Sequence, residues 1–574
     1  MGTTPKTRTL TVVAQDAHVR EGGRILTTTV SVPYEEVEPG PLGHRVHVVD
    51  YDASTSTLYD PAAIADGPTR PSNAAVLGDP AFHAQNVYAL VMATLARFEY
   101  ALGRRAAWGF RAHQLKVVPH AFEAANAFYS PESESLSFGY YRRGGEVVFT
   151  CLSHDVVVHE TTHALLDGLR GYFMAPSSPD QAAFHEGYAD IVALLSVLSV
   201  ESLVARLVDK KTAGAGAPRR RAGLVHRSAL TAESLRQTVL FGMADDMDTE
   251  AGGARVNALR RSVETEPDKR LLDTEEYREP HRRGEILVAA VMRTFLDVWS
   301  ARLATLGAIE GDYVDRGRVA EEAATVAGQL LTMMVRAIDY TPPIHVTFGD
   351  FLSAALTADA EVRDDDSRYQ LRKKLLAWCG KYGIRPASGT RDGTLPRSDL
   401  RLGREGVRFG SLQTDATEMF RLLWANRRNR EALRLDPRAF TQVSSIRPSV
   451  RIGPEDGFLV RETVAECVQY LKVPAGELKS LGLRKPPGLD DAYEIALRGG
   501  STLVLDEYGT LKFEINNTLP RPGDTDALRE TQEQLDYLWE QGEFTEGASF
   551  AMRLSSLHRL RALDPVLPSV TEVW

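Results

Sequence analysis

Two short stretches of the chain carry residues suited to metal chemistry. The first, Val156-Val-Val-His-Glu-Thr-Thr-His-Ala-Leu165, places His159 and His163 four positions apart, with Glu160 directly after the first. On a helix of 3.6 residues per turn, positions i and i+4 share a face, so the two imidazoles can grip one ion. Imidazole nitrogen suits zinc, and a catalytic zinc takes three protein ligands and keeps a position for water. Glu160 falls one residue round the helix, beside the ion rather than on it, where a carboxylate can take a proton from that water. The second stretch, Phe184-His-Glu-Gly-Tyr-Ala-Asp-Ile191, offers Glu186 as the third ligand. With 14 histidines in 574 residues, chance supplies only about 0.02 copies of such a motif. The apolar residues on both sides predict a largely buried helix, in which unpaired histidines are costly.

The elements that must position these groups follow from the flanking sequence. The first metal helix is predicted from about 152 to 168, closing at Asp167-Gly168. Ser177-Ser178-Pro179-Asp180 signals the start of a second helix, with a serine cap, proline in the first turn and an early acid. On that helix Glu186 and Asp190 are four apart and share a face, so Asp190 can hold the outer nitrogen of a ligand histidine and fix its tautomer. His185 is expected to point elsewhere and is not assigned as a ligand. Upstream, residues 126–139 read as an edge strand, a turn at Pro131 and a returning strand. That is either an ordinary hairpin or, beside a metal cleft, a strand that pairs with an extended peptide. Residues 80–102 have helical apolar spacing, and 114–118 read as a strand. Three β-branched runs within residues 8–60 predict an antiparallel sheet whose His18, His44 and His47 are surface residues. His281, just before a helix expected over 283–306, can stabilise a developing oxyanion or donate a proton, or can simply be exposed. The basic stretch 209–221 reads as a solvated loop.

The bulk composition excludes several classes. A net charge of −10, from 67 basic and 77 acidic residues, argues against a general nucleic-acid binder. Cys151, Cys379 and Cys467 are too few and too scattered for a disulfide framework and are expected to be buried thiols. No run of eighteen apolar residues occurs, and the N-terminus lacks the apolar stretch of a secretory signal, so the expected location is the cytoplasm, with no membrane partner.

Taken together, these stretches resemble the thermolysin-like family of zinc metallopeptidases, within the gluzincins. The resemblance rests on Asn126-Ala-Phe-Tyr129, the His159–His163 motif, Phe184 to Asp190, Leu259-Arg260-Arg261 and Glu279-Pro-His-Arg-Arg-Gly-Glu-Ile286, in that order. A weaker match runs from Arg336-Ala-Ile-Asp-Tyr-Thr-Pro342 through Phe351-Leu-Ser-Ala-Ala355, and the whole covers roughly residues 85–385. It implies an α+β fold with a β-rich N-terminal part, a helical C-terminal part and a zinc cleft between them. It implies one zinc per chain on His159, His163 and Glu186, with Glu160 as general base and Asp190 orienting His159. Asn126 and Ala127 would hold substrate backbone, and Arg260 (or Arg261) a substrate carbonyl. His281 would stabilise the tetrahedral intermediate, Tyr172 would assist, and Val156 and Leu259 would line the pocket after the scissile bond. The chain departs from the family in a longer interval between His163 and Glu186, in the missing secretory signal and pro-segment, and in lacking the acidic cluster that binds calcium after the third ligand. Calcium is therefore not expected.

The expected organisation is a β-rich region over 1–80, a peptidase domain over 81–385, a linker over 386–400 and an additional α+β domain over 401–574. The last contains a hairpin over 500–515 turning at Glu507-Tyr-Gly509. It carries no second catalytic constellation and is expected to bind a protein partner or cover the cleft. The expected activity is zinc-dependent endopeptidase action on a peptide or protein substrate. The rivals are an aminopeptidase and a catalytically silent zinc-containing scaffold that binds peptides.

Overall fold

The computed structural model describes residues 6–65, 67–110, 112–143, 145–175, 177–211, 223–237, 262–387, 390–453, 457–521 and 523–544. The chain mixes helices and strands throughout. Near the N-terminus, β1 (Thr7–Val13) and β2 (Thr27–Pro33) pair antiparallel, with Leu10 opposite Val30. The third run expected in that sheet behaves differently. Its strand, β3 (Val46–Val48), pairs parallel with β4 (Leu115–Glu123), Val46 opposite Leu115. Val46 and Val48 are buried, set opposite the apolar Leu115 and Val117 of the larger sheet. Leu10, Val12, Val46 and Val76 belong to the principal core together with the helices that follow, so residues 7–58 do not form a core of their own.

Between β3 and β4 runs α1 (Pro80–Leu102). Asp79 Oδ1 accepts the Ala81 N–H, Pro80 occupies the first turn, and Gly103 ends the helix at φ 68°. Its residues are buried on nearly every side, as befits a helix in the middle of a large core. The sheet is completed by β5 (Ala127–Ser130), β6 (Ser135–Arg143) and β7 (Glu146–Phe149). The first half of β6 pairs antiparallel with β5 and its second half with β7, while its other side runs parallel to β4. Strand β5 is thus an edge.

The helical part includes α2 (His154–Leu169), α3 (Pro179–Leu198), α4 (Pro280–Ala304), α5 (Arg316–Ala337) and α6 (Phe348–Ala360). Ser178 caps α3 through Gln181 N–H, with Pro179 at its first position. Helices α3 and α4 cross backbone to backbone at Gly187 and Gly284. A Cβ on Gly284 would lie 3.0 Å from the carbonyl oxygen of Ala183 and 3.0 Å from the nitrogen of Gly187. The contact matters because Glu186 and His281 stand on either side of it. We expect Gly284→Ala to force the helices apart at a cost of about 1–3 kcal/mol. Thermal denaturation would register the loss, and a variant as stable as wild type would show that the crossing tolerates a methyl group.

The C-terminal part is built on a four-stranded antiparallel meander, β8 (Phe440–Ile452), β9 (Leu459–Pro474), β10 (Glu494–Asp506) and β11 (Leu511–Asn517), with helices Ala416–Trp424 before it and Thr525–Glu540 after it. The turn between β10 and β11 closes on Asp506 Oδ1, which accepts the N–H groups of Tyr508 and Thr510, with Gly509 at φ 72°. This sheet is joined to the preceding helices by a core and by charge. Val504, Phe513 and Ile515 enter the principal core, and Asp339, Glu462, Arg451 and Arg104 form a buried network across the junction. Among the described residues, no single helix is long and apolar enough to cross a membrane. His18 and His44 are exposed, His47 is half-buried, and the three cysteines are buried and unpaired with one another.

Candidate metal centre

Helix α2 buries His159, Glu160 and His163, which therefore cannot satisfy their polar atoms in water. The i, i+4 spacing brings His159 Nε2 within 2.8 Å of His163 Nε2, the two rings nearly perpendicular. From α3, Glu186 reaches across: its Oε2 is 3.5 Å from His159 Nε2 and its Oε1 is 3.6 Å from His163 Nε2. His159 meets Asp190 and His163 meets Glu186, so α2 and α3 lie antiparallel along this face.

The outer nitrogens define the tautomers. His159 Nδ1 is 2.8 Å from Asp190 Oδ1, so a proton on Nδ1 would face the carboxylate and leave a lone pair on Nε2. His163 Nδ1 is 2.7 Å from Nδ1 of His185, whose ring stacks against it at a 4.8 Å centroid distance. If His163 donates there, its Nε2 likewise presents a lone pair. Two imidazole lone pairs and a carboxylate then converge on one point, and that donor set fits zinc. His185 was expected to point elsewhere. Being next to Glu186, it leaves the ligand face of α3, but the packing of α3 on α2 turns it onto the far side of His163. Replacing His185 by Ala is expected to weaken zinc binding about 10–100-fold. Competition with a chromophoric chelator would measure this, and unchanged affinity would remove His185 from the centre.

Glu160 also comes close: donor atoms of His159, Glu160 and His163 all lie within 4.8 Å of one another. Its Oε2, however, accepts the Tyr129 N–H of edge strand β5 at 3.1 Å. Glu186, by contrast, spans both Nε2 atoms, so it can complete the donor set with Glu160 standing beside it. Opposite them, Glu279 caps α4, accepting the His281 and Arg282 N–H groups, and its Oε1 is 2.8 Å from His281 Nδ1. This turns His281 Nε2 toward the centre, 3.6 Å from Glu186 Oε2.

The remaining expected site residues fall in different places. Val156 is half-buried one turn before Glu160, against the core. Asn126 and Ala127 stand at the start of β5 beside α2; the Asn126 Oδ1 accepts the Ala127 N–H at 2.9 Å, while the buried Asn126 Nδ2 has no hydrogen-bond partner among the described residues. The carbonyl of Asn126 accepts from Gly139 N–H. Tyr172 faces the C-terminal sheet: its hydroxyl accepts from Gln442 Nε2 at 2.8 Å and its ring lies against Tyr470. Leu259, Arg260 and most of the basic loop lie outside the described residues.

A search against protein-family models finds no match for the chain, and no curated protein matches it.

Proposed function

We propose that the chain is a zinc-dependent metallopeptidase that cuts peptide bonds internally. The observation that carries the reading is the convergence of His159, His163 and Glu186 with an acid, Glu160, on one side and an imidazole, His281, on the other. Zinc held by the three ligands supplies Lewis acidity, polarising a carbonyl and acidifying water. The chain's own groups do the rest. Glu160 takes the proton of the attacking water and returns it to the leaving amine. His281, held at Nδ1 by Glu279, offers Nε2 to the oxyanion as it develops. Edge strand β5 supports an extended substrate by main-chain pairing, which orients the carbonyl. On this reading the chain acts as thermolysin-like peptidases do, without their calcium sites.

The test is turnover of a peptide with both ends blocked by the zinc-loaded full chain. Cleavage that a chelator stops and zinc restores is the expected result. Cleavage only of peptides with a free amino terminus would instead favour the aminopeptidase. A chain that binds zinc and peptide but cuts neither substrate would be a scaffold.

A further inference from the structure

A second group of metal-compatible side chains lies away from this centre. His83 on α1, His120 on β4 and Cys151 in the short turn Thr150–Leu152 are all buried, and each offers a donor atom within 4.8 Å of the other two. One of the two imidazoles is held by a carboxylate, as His159 is at the first centre, and the other by a backbone carbonyl. His83 Nε2 is 2.8 Å from the carbonyl oxygen of Val76, which can only accept, so the proton sits there and Nδ1 holds a lone pair. His120 Nδ1 lies 2.8 and 3.0 Å from the carboxylate oxygens of Asp50, which places its proton at Nδ1. The inward nitrogens, His83 Nδ1 and His120 Nε2, are then 2.7 Å apart. A backbone carbonyl and a carboxylate holding the outer nitrogens are what orient metal-ligating histidines elsewhere.

The surroundings close the group off. Phe149 packs on both imidazoles, at 4.7 and 5.0 Å between centroids, and Tyr59 packs on His120 at 5.0 Å. Asn86 Nδ2 holds the Cys151 carbonyl at 2.8 Å. Burial pushes the Cys151 thiol well up and drives His83 down to about 3, the neighbouring His120 adding to the latter effect. A bound cation reverses the thiol's preference, because a coordinating sulfur is deprotonated.

We propose that His83, His120 and Cys151 form a second, structural metal site for a thiophilic ion of the zinc(II) or copper(I) type. Two imidazoles and a thiolate are a ligand set these ions favour over calcium or magnesium. The site would tie α1, β4 and the turn that leads into α2, fixing the start of the helix that carries His159. The proposal does not depend on peptidase activity.

The sulfur makes it separable from the first centre, whose ligands are nitrogen and oxygen alone. The experiment titrates cobalt(II), as a zinc surrogate, and copper(I) into the metal-free full chain, and into the same chain carrying His159→Ala and His163→Ala. The expected result is a near-ultraviolet thiolate-to-metal charge-transfer band that survives the double substitution and disappears in Cys151→Ser. Metal content should fall from about two equivalents per chain to about one in Cys151→Ser. A band with copper(I) alone would support the site and name copper as its ion. The proposal is overturned if wild type gives no thiolate band with either ion, a result that stands even if Cys151→Ser fails to fold. It is equally overturned if Cys151→Ser binds as much metal as wild type, leaving a proton shared between the two imidazoles as the occupant.

Discussion

Replacing Glu160 by Gln is expected to lower peptide hydrolysis about 10²–10⁴-fold while zinc uptake stays at the wild-type level. The amide preserves shape and can still meet the Tyr129 N–H through its oxygen, as the carboxylate does. What it loses is the ability to accept a proton at the atom facing the water. The division of labour between the two acids makes this informative, because Glu186 reaches both ligand imidazoles whereas Glu160 stands beside them. Metal analysis alongside single-turnover kinetics checks both halves. A variant that loses its zinc would instead make Glu160 a ligand, and one that keeps full activity would remove it from the chemistry.

The second large effect lies at the junction with the C-terminal sheet. Asp339 is fully buried and accepts both Arg104 Nη1, at 2.5 Å, and Arg104 Nη2, at 2.7 Å, while Arg451 bonds it from the other side. Arg451 also reaches Glu462, which takes a 2.6 Å hydrogen bond from the Tyr340 hydroxyl. Asp339→Asn leaves two buried guanidinium groups short of their counter-charge and is expected to cost about 3–5 kcal/mol. Chemical denaturation of the full chain measures it; a loss below about 1 kcal/mol would mean the network contributes as little as a surface pair. A pH dependence accompanies the effect. Burial alone would raise the Asp339 carboxyl, but Arg104 and Arg451 outweigh it and hold the group well below the usual carboxylate range. A carboxylate depressed on folding contributes stability above its unfolded pKa and loses it as acid protonates the folded group. The wild type should therefore lose stability as pH falls below about 4, and Asp339→Asn should lose less over the same interval.

Local rules made the first centre legible. The His159–His163 spacing needs only helical periodicity, the cap at Ser178 needs only its own side chain, and Glu186 with Asp190 needs only one helix face. The hairpin between β10 and β11 was legible for the same reason, since alternation and a glycine turn are properties of neighbours in sequence. What escaped depends on how elements meet. His185 was set aside because adjacent residues diverge round a helix, and only the packing of α3 on α2 reveals what its ring touches. The strand at Val46–Val48 was recognisable as a strand, but its partner lies far along the chain, and alternation does not name a partner. His83, His120 and Cys151 follow no spacing rule, because three different elements deliver them. The buried charges Asp339 and Glu462 carry no local signature, since nothing in a sequence marks which acid will be sealed beneath a sheet.

The most direct test of the central claim is a digest of a peptide library by the zinc-loaded full chain, read by mass spectrometry and repeated with chelator. The account predicts internal cuts that vanish with the chelator, return with zinc and are absent from Glu160→Gln. An intact library in the presence of fully loaded chain would contradict it.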